Sequence, residues 1–597
     1  MRNRILLYLH YNRFGELADY VPYQLEKIRP IFDRVFFITN SELSPENIAR
    51  LKNNQLIDDF LIHENDGGYD FKAWSDTMNM IGFDKLAEYD SVTIMNDTCF
   101  GPVYDFAPTF EEFDKNAEVD FWGLTNNRAQ DIRAHWDPST PIHLPNHIQS
   151  YFVSYKQNMV KSEAFKNFWK EIKIFDHVLH IIVEYETKMT KYFEDAGFKS
   201  DCVFNTLETP WSPLEMPTHD FSVFALPELM RRKFPFLKIR AFTNLAKNIF
   251  TPAVIDVLER NTDYPVQYIV DHMTFADYPD REYMLPRKTI AIKGLPETEP
   301  ILKAKVGIHL HVFYEDLLEE FVAKFDKYVG DYDLYLTTDT EEKKAKILEL
   351  SSGNTHLKEV LVTGNVGRDV LPWQLIHDRL DQYDYAGHFH TKKSAFSAWI
   401  IGETWREHIM DSLIAPAKHL FEVMDKTPKV GLIIPDVPVF FNSHHGPTYY
   451  SEKELWKYMV DLWEAMGFGG SGDYRSFQEQ ESYVMSYGTM LWYRPAALKS
   501  LLALDIKDQI PAEPLPFTSI LHAFERIIVY TAWANGFDFR IAENNPQTGF
   551  IVNRSSNRML MEASSDLNFY STKGAFVIFL KTLRRLVKKK LGLKIED

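Results

Sequence analysis

Short apolar segments alternate with longer amphipathic segments in the first part of the chain. The apolar segments have the length and composition of buried strands, and they cover residues 5–11, 35–39, 60–62 and 91–95. Hydrophobic residues recur with a helical period over residues 16–31, 45–53 and 71–81, and Ser44 stands where a helix cap is expected. Strands that alternate with helices predict βαβ units and a mainly parallel sheet.

The alternation continues less regularly up to residue 230. Further strands are predicted over 121–125 and 147–153, and a helix over 180–194 carries Glu186. Residues 231–300 mix basic and proline-containing stretches. We interpret them as a connecting segment with some helices of its own.

The pattern of strands then restarts. Residues 306–311, 334–338 and 385–390 resemble the first, second and fourth strands. A turn that carries Asn, Gly and Asp ahead of a Trp occurs at residues 64–74 and again at 364–373. From Ile5 to Asn65, and from Lys305 to Asn365, the separation is the same sixty residues.

Later landmarks also recur in order. Glu186 lies eleven residues before Gly197, and Glu525 lies eleven residues before Gly536. A Ser-Tyr pair precedes a Tyr and a basic residue in both halves, at Ser150-Tyr151 and at Ser486-Tyr487. Any two α/β domains share part of such a rhythm, but several ordered landmarks favour two duplicated domains.

Composition sets the scale and excludes some functions. A chain of 597 residues is too long for one hydrophobic core, so it holds either three to four domains of ordinary size or two large ones. Its net charge of −18 argues against a general nucleic-acid binder, which usually carries a basic face. The aromatic fraction of 14% suits stacking against sugars and equally suits large aromatic cores.

The chain shows no sign of export or of membrane spanning. Two cysteines, Cys99 and Cys202, form neither a disulfide framework nor a thiolate metal site, which favours a reducing cytoplasm. The apolar run that begins at Ile5 is too short for a signal peptide. No run of apolar residues is long enough to cross a bilayer.

Polar residues follow the predicted strands of the first half. Ligands bind at the carboxyl ends of the strands in such sheets, and we therefore expect Asn65, Gly68 and Asp70 in the turn, and Asn96 with Asp97, to line a pocket for a sugar nucleotide. Asp70 would hold the base or ribose of the donor. Glu186 is the candidate general base that would deprotonate an acceptor hydroxyl.

Asp97 is the candidate for contact with a metal and the diphosphate. Hard oxygen ligands suit Mg²⁺ or Mn²⁺, and either ion would neutralise the leaving group. Many enzymes that transfer sugar from a nucleotide donor have an acidic residue at the position of Asn96, so the metal-binding motif is incomplete here. The alternative is that Asn96-Asp97-Thr98 is only a turn or helix cap.

The second half carries a different set of candidates. Two histidines and two lysines replace the Asn-Asp-Thr position and would neutralise a diphosphate without a metal. The candidate donor-binding residues are Asn365, Arg368, Asp369, His390, Lys392 and Lys393. Glu525 is the candidate base. The alternative is an inactive copy retained as a scaffold.

The C-terminus is basic, unlike the rest of the chain. Leu580, Leu583, Val587 and Leu591 form an apolar row, and the residues between them include Lys581, Arg584, Arg585, Lys588, Lys589 and Lys590. A basic amphipathic helix on an acidic protein predicts binding to an anionic membrane surface. The alternative is a terminal helix that packs on the body of the protein.

Together these motifs resemble the rhamnan synthesis protein F family of bacterial polysaccharide rhamnosyltransferases, over roughly residues 4–565. The stretches that carry the resemblance are 65–74, 95–102, 121–125, 147–152 and 390–394. The resemblance implies transfer of L-rhamnose from dTDP-L-rhamnose to a lipid-linked rhamnose chain on the cytoplasmic face of the membrane. It also implies other polysaccharide-assembly transferases as partners.

The resemblance and the βαβ pattern jointly predict an α/β fold with two tandem GT-A-like, Rossmann-like domains. The predicted divisions are a first transferase domain over 1–230, a connecting segment over 231–300, a second transferase domain over 301–565 and a membrane-associating tail over 566–597. Two other functions stay open. One is transfer of another sugar by a single live half, and the other is a non-catalytic assembly factor.

Overall fold

The computed structural model contains two compact units, Met1–Ala276 and Asp277–Asp597. The described residues are 3–134, 137–175, 177–207, 221–243, 251–276, 288–301, 303–393, 405–436, 455–468, 477, 483–516 and 518–543, with 576, 579, 580, 583, 584, 587 and 590 in the tail. Each unit is described by itself below.

The strands of the first unit are β1 Arg4–His10, β2 Arg34–Thr39, β3 Asp59–Ile62, β4 Ser91–Asn96, β5 Cys99–Phe100, β6 Phe121–Asn127, β7 Gln130–Ala134, β8 Asp137–Leu144, β9 His147–Ile148, β10 Phe152–Lys156, β11 Ser200–Phe204 and β12 Leu237–Lys238. Its main sheet has the strand order β11-β6-β10-β4-β1-β2-β3, in which β10 runs antiparallel to both neighbours and the other pairs are parallel. This arrangement agrees with the predicted βαβ pattern.

Both faces of this sheet are covered, which is why its central strands are apolar without interruption. Leu6 and Tyr8 of β1 belong to one hydrophobic cluster, and Leu7 and Leu9 to the cluster on the opposite face. The helices that lie between the sheet strands include Tyr20–Ile28, Pro45–Asn53, Tyr69–Ile81, Phe83–Leu86, Ala107–Lys115, Glu163–Lys170 and Thr187–Asp195. Ser44 caps the second of these, since its hydroxyl accepts the Asn47 N–H.

The strands of the second unit are β13 Thr289–Ala291, β14 Val306–His311, β15 Asp333–Thr338, β16 Leu357–Val362, β17 Tyr385–His390, β18 Val430–Pro435, β19 Leu491–Tyr493 and β20 Asp538–Glu543. They form one sheet with the strand order β13-β20-β18-β19-β17-β14-β15-β16. Its helices include Leu318–Tyr328, Glu341–Leu350, Val370–Leu380, Ala417–Lys426, Trp456–Ala465, Pro495–Leu502 and Ile520–Ala534. Apart from the added edge strand β13, the order and directions repeat those of the first sheet, which confirms the predicted fold class of two α/β halves.

The hydrogen-bond register matches individual positions in the two sheets. Asp97 N–H donates to the Leu9 carbonyl, and Thr391 N–H donates to the His311 carbonyl, directly after β4 and β17. Asn96-Asp97-Thr98 therefore corresponds to 390–392 in the second unit. The same register places Ser150 opposite Gly488, because Ile94 pairs with Val153 and His388 pairs with Leu491.

The predicted connecting segment is divided between the units. Leu237–Lys238 pairs with Cys99–Phe100, and the helices Thr251–Asn261 and Val266–Ala276 belong to the first unit. Thr289–Ala291 instead joins the second sheet beside β20. The boundary between the two compact units falls after Ala276, inside the predicted connecting segment.

Two predicted elements are interrupted in the structure. The strand predicted over 147–153 is split into β9 and β10, with a turn at 149–151 between them. The helix predicted over 180–194 contains a π-helical turn, Ile182–Glu186, followed by Thr187–Asp195. Both interruptions lie next to candidate site residues, where such irregularities are common.

A buried ion pair attaches the added strand of the second unit. Lys288, which immediately precedes β13, is fully buried, and its ammonium bonds to the Asp538 carboxylate at the start of β20. Arg540 Nη1 donates to the other carboxylate oxygen at 2.5 Å. Burial raises the pKa of Asp538, but the two cations outweigh it and hold that pKa below its usual value.

We expect Lys288→Met to lower the free energy of unfolding of the second unit by about 3 kcal/mol, because the substitution leaves a buried carboxylate with one cation fewer. Urea denaturation of the full chain measures the change. Lys293→Met, at an exposed lysine of the following turn, is the matched control and should change the value by less than about 0.5 kcal/mol. Equal effects of the two substitutions would contradict a structural role for the Lys288 pair.

Candidate functional site

A strained turn places Asp70 at the start of a helix. The Asn65 side-chain oxygen accepts the Gly67 and Tyr69 N–H groups at 3.4 and 3.2 Å. Tyr69 has a φ of 48°, a left-handed conformation that is uncommon for a residue with a side chain. A Cβ at Gly68 would lie 2.1 Å from Lys72 Cβ, so this position requires glycine. The predicted residues Asn65 and Gly68 therefore shape the turn that carries Asp70.

Asn96 orients the Asp70 carboxylate. Its amide nitrogen donates to Asp70 Oδ2 at 2.6 Å. Its amide oxygen accepts the Thr98 hydroxyl at 2.6 Å, which fixes the direction of the amide. Burial raises the pKa of Asp70, and the charge of Glu186 raises it further, whereas the Asn96 hydrogen bond and Lys238 lower it. Glu186 and Lys238 thus both act electrostatically on Asp70.

Glu186 reaches this site from the π-helical turn. Its carboxylate accepts the Ser150 hydroxyl at 2.5 Å, and Ser150 lies just ahead of β10. A π-turn adds one residue to a helical turn, and such bulges are frequent at functional sites. The structure therefore brings the predicted base and the predicted donor-binding Asp70 to the same edge of the sheet.

Lys238 is a site residue that the sequence did not reveal. Its ammonium donates to the Thr98 hydroxyl at 3.0 Å and lies 3.9 Å from the centre of the Tyr151 ring. The residue comes from the short strand β12, inside the segment predicted to be a connection. No periodicity or motif marks it, because its place depends on the pairing of β12 with β5.

Asp97 is held by the protein backbone. Its Oδ2 atom accepts the Tyr11 N–H at 3.1 Å, and the side chain is 9% exposed. Burial is the main reason that the pKa of Asp97 rises to about 8. Thr391, its counterpart in the second unit, accepts the Phe313 N–H in the same way at 3.0 Å.

The residues around Asp97 do not fit the metal predicted for the first half. The Asp97 carboxylate is almost fully buried and already accepts the Tyr11 N–H, whereas Mg²⁺ and Mn²⁺ need oxygen ligands that are free to bind them. In the described part of the chain, no three His, Cys, Asp or Glu side chains are arranged to hold a metal ion. Dependence of the first half on Mg²⁺ or Mn²⁺ therefore stays a prediction without a ligand set at Asp97.

The second unit repeats the strained turn. Arg368, directly before Asp369, has a φ of 52°, like Tyr69 before Asp70. Asp and Trp keep the same separation in both turns, which places Asn65 opposite Gly364 rather than opposite the predicted Asn365. Asn365 is exposed in the structure.

Asp369 and His390 lie against the turn that precedes β19. The Thr489 hydroxyl bonds to Asp369 Oδ2, and Thr489 itself has a φ of 62°. His390 is 7% exposed, and its Nε2 atom lies 2.7 Å from the Gly488 carbonyl. The predicted pair Asp369 and His390 is therefore gathered around the turn at 488–489.

Glu525 occupies the place of Glu186. It accepts the Gly488 N–H at 2.5 Å, just as Glu186 accepts the hydroxyl of the corresponding Ser150. Arg526 also donates to it at 2.5 Å. Ser486, the residue predicted to match Ser150, bonds instead to the Met490 carbonyl.

Lys392 supplies the cation of the second site. Its ammonium lies 3.6 Å from the centre of the Trp405 ring. Burial lowers the pKa of Lys392, while the charges of Glu525 and Asp369 raise it. These influences place the lysine within electrostatic reach of both carboxylates.

Two predicted donor-binding residues are engaged in ion pairs outside this group. Arg368 pairs with Glu513 at 2.9 Å, and both side chains are about half exposed. Lys393 pairs with the exposed Asp316. Neither is directed at the carboxylates by any contact of the described residues.

Each half thus presents a carboxylate on a strained turn, a glutamate on a helix and one lysine. The three are Asp70, Glu186 and Lys238 in the first unit, and Asp369, Glu525 and Lys392 in the second. This set can accept a hydrogen bond from a hydroxyl, remove a proton and balance the charge of a phosphate. It lies where the parallel strands end, the usual ligand-binding edge of such sheets.

Comparison with known proteins gives distant likenesses. An uncharacterised protein, y4gN of Sinorhizobium fredii (strain NBRC 101917 / NGR234), is 24% identical over 140 residues, which are 23% of this chain and 33% of that protein. The match therefore spans about a third of the length of that relative.

Similar solved structures share little with the chain as a whole. HddC from Yersinia pseudotuberculosis is 10% identical, with 27% of this chain and 80% of that chain covered and a TM-score of 0.18. The apo form of the glycosyltransferase GlyE of Streptococcus pneumoniae TIGR4 is 9% identical, with 66% and 87% covered and a TM-score of 0.22. Scores this low support no argument about function.

A family model gives the decisive match. The model described as rhamnan synthesis protein F matches residues 35–537, which include both groups of carboxylates and most of the strands of both sheets. The stretches that carry the resemblance in the sequence fall within that range. This chain belongs to the rhamnan synthesis protein F family.

Proposed function

We propose that this chain is a glycosyltransferase that transfers L-rhamnose from dTDP-L-rhamnose to a lipid-linked rhamnan chain, with one GT-A-like site in each half. The observation that carries the proposal is the recurrence of the aspartate and the glutamate at corresponding places in two sheets of the same strand order. A lysine accompanies them in each half, Lys238 from β12 and Lys392 at the position that corresponds to Thr98. Membership of a rhamnan synthesis family supports a sugar donor and a polysaccharide acceptor in general. Rhamnose and the thymidine nucleotide are the finer part of the proposal.

The glutamates are the proposed general bases. Ser150 holds Glu186 and the Gly488 N–H holds Glu525, each at 2.5 Å, so that each carboxylate keeps one orientation before the acceptor arrives. A base in a fixed orientation removes the proton of an acceptor hydroxyl as the new glycosidic bond forms. Lys238 and Lys392 are placed to balance the charge of the departing nucleoside diphosphate.

One observation favours a second candidate, in which only the first half transfers sugar. Arg526 pairs with Glu525 at 2.5 Å, and a carboxylate stabilised by a guanidinium is a weaker base. Glu186 has a neutral hydroxyl at the corresponding contact. The second half would then bind substrate without turning it over.

Product analysis separates these functions. The full chain is incubated with dTDP-L-rhamnose, with and without a rhamnose-lipid acceptor, and the linkages in the product are identified. Two linkage types support two active halves, and a single type supports one. Turnover of a different nucleotide sugar alone would overturn the donor, and no turnover with any acceptor would leave a non-catalytic assembly factor.

We expect Glu186→Gln and Glu525→Gln each to abolish one linkage type, with a fall in its rate of about 10²- to 10⁴-fold, because each removes one general base. Rates of both linkages are measured for the two variants and for the double variant. Glu184→Gln is the control, because Glu184 lies on the same turn but pairs with Lys188 in solvent. Normal rates of both linkages in the double variant would contradict the proposed bases.

We expect Asp97→Asn to keep most of the first-half activity, since the amide oxygen of Asn also accepts the Tyr11 N–H. Asp70→Asn should lower that activity at least about tenfold, the typical effect of losing a hydrogen bond to a charged group. The measurement is the rate of the linkage that depends on Glu186, with and without added Mg²⁺ or Mn²⁺. A greater loss in Asp97→Asn than in Asp70→Asn would restore Asp97 as a metal ligand.

The tail is the proposed contact with the inner face of the cell membrane. Its described positions are helical, and Phe576, Phe579, Leu580, Leu583 and Val587 are 46–61% exposed. Lys581, Arg585, Lys588, Lys589 and Leu591 of the predicted helix lie outside the described residues. In the described part of the chain, no helix has the length and apolar character needed to span a bilayer.

We expect removal of residues 574–597 to shift the protein from anionic vesicles to the soluble fraction, because the truncation removes both the apolar row and the basic residues. Sedimentation with vesicles containing phosphatidylglycerol measures binding, and neutral vesicles are the control. A variant with Phe576, Phe579 and Leu583 changed to Ser should lose binding while keeping the positive charge. Unchanged sedimentation of the truncated chain would refute this role.

A further inference from the structure

A continuous row of buried polar side chains leads to Asp369 in the second unit. His311 Nδ1 lies 2.9 Å from the Thr337 hydroxyl, which lies 2.8 Å from His309 Nε2. His309 Nδ1 lies 2.9 Å from His388 Nδ1. His388 Nε2 in turn lies 3.5 Å from Asp369 Oδ2. His309 and His388 are completely buried, and we call these five residues the polar row.

The first unit has aliphatic residues at the corresponding positions. The register places Leu9 and Leu7 opposite His311 and His309, and it places Ile38 and Ile94 opposite Thr337 and His388. The same sheet is therefore built without these polar groups. The fold does not require these polar side chains, and the row that they form ends at Asp369, where it can affect the carboxylate.

The charge of Asp369 gives the polar row one direction. His388 Nε2 faces Asp369 Oδ2 at 3.5 Å, which is outside ordinary hydrogen-bond geometry, and Nε2 has no hydrogen-bond partner within the described residues. An ionised carboxylate only accepts hydrogen bonds, so it favours the tautomer of His388 that carries the proton on Nε2. A neutral imidazole has one N–H, and His388 Nδ1 must then accept the His309 Nδ1–H. His309 Nε2 accepts the Thr337 hydroxyl, whose oxygen accepts the His311 Nδ1–H. The direction of every hydrogen bond in the polar row follows from this tautomer of His388.

The surroundings keep these histidines neutral and in place. Burial lowers the pKa of His388 to about 4 and holds that of His309 well below its usual value. The Trp373 ring stacks on His388 at a centroid distance of 4.1 Å and an angle of 5°. The Trp373 N–H donates to the Tyr493 hydroxyl at 2.9 Å, which fixes the ring against which His388 packs.

The two side chains that approach the Asp369 carboxylate face the same oxygen. His388 and Thr489 contact Oδ2, and within the described residues no donor reaches Oδ1. Asp70 shows the same asymmetry in the first unit, where Asn96 binds Oδ2. The carboxylate is thus held from one side, and its second oxygen is left to accept a hydrogen bond from a ligand.

We propose that His388, directed by His309, is a positioning residue that holds Asp369 as an oriented anion so that Oδ1 accepts a hydroxyl group of the donor bound in the second half. The identity of that donor rests on the proposed function. In the first half, Asn96 performs the same task for Asp70 from the end of β4. The two halves therefore orient equivalent carboxylates by different means.

Kinetics of the full chain test this role with residues taken from the first unit. His309→Leu and His388→Ile introduce the side chains that fill these positions in the first sheet. Each should raise the KM for dTDP-L-rhamnose in the Glu525-dependent linkage about tenfold, because each removes or misdirects the polar group that faces the Asp369 carboxylate, with a smaller change in kcat. The Glu186-dependent linkage should be unaffected.

A conservative variant distinguishes positioning from packing. His309→Asn places an amide N–H near the position of ring Nδ1, and it should restore the KM that His309→Leu raises. A loss of equal size in His309→Asn and His309→Leu would show that the site needs only the imidazole volume. An unchanged KM in both His309→Leu and His388→Ile would overturn the proposal.

A spectroscopic measurement tests the expected tautomers of His309 and His388 independently of turnover. Long-range ¹H–¹⁵N spectra of the full chain labelled at histidine are assigned by comparison with His309→Leu and His388→Ile. We expect the Nδ1–H tautomer for His309 and the Nε2–H tautomer for His388, both neutral at pH 6. The reverse tautomers, or a protonated His388, would overturn the proposal. If the tautomers are as expected but dTDP-L-rhamnose is not a donor, the proposed donor fails and the orientation of Asp369 stands.

Discussion

One reversed strand in each sheet determines where the chemistry is placed. Parallel strands deliver their following turns to one edge of a sheet, which accounts for Asp70 and Asn96 but not for Ser150. Because β10 runs antiparallel to β4 and β6, its beginning lies at the edge where its neighbours end. Ser150 and, in the second unit, Gly488 therefore face the helical glutamates. Without that reversal, each glutamate would lose the donor that orients it.

Much of this arrangement is readable in the residue pattern. Alternating strands and helices, the turn with its aspartate, and the two glutamates before a Gly-Phe pair all depend on local order, and the structure places them as the spacing suggests. Lys238 could not be predicted as a site residue from the sequence, because it belongs to a two-residue strand whose partner lies far away in the chain. The match of Ser150 with Gly488 was equally hidden, since it rests on register and on a backbone N–H that replaces a hydroxyl.

The Asp97 position shows why a motif alone does not decide the role of a residue. An aspartate after the fourth strand suggests a metal ligand, yet the structure uses its carboxylate to bind a backbone N–H, as it uses the hydroxyl of Thr391 in the other unit. A side chain that caps a backbone group and one that binds a cation have the same sequence signature. Burial separates them, and burial depends on the packing of residues that are distant in the chain.

The left-handed residues before the two aspartates are chemically unrelated. One is an aromatic phenol and the other a guanidinium, yet both adopt a φ near 50°. Each is held in a conformation that glycine would adopt with less strain. A glycine there would also visit many other conformations, and the carboxylate that follows would point in as many directions. The side chain at this position thus restricts the backbone next to the aspartate, and both a phenol and a guanidinium serve in that place.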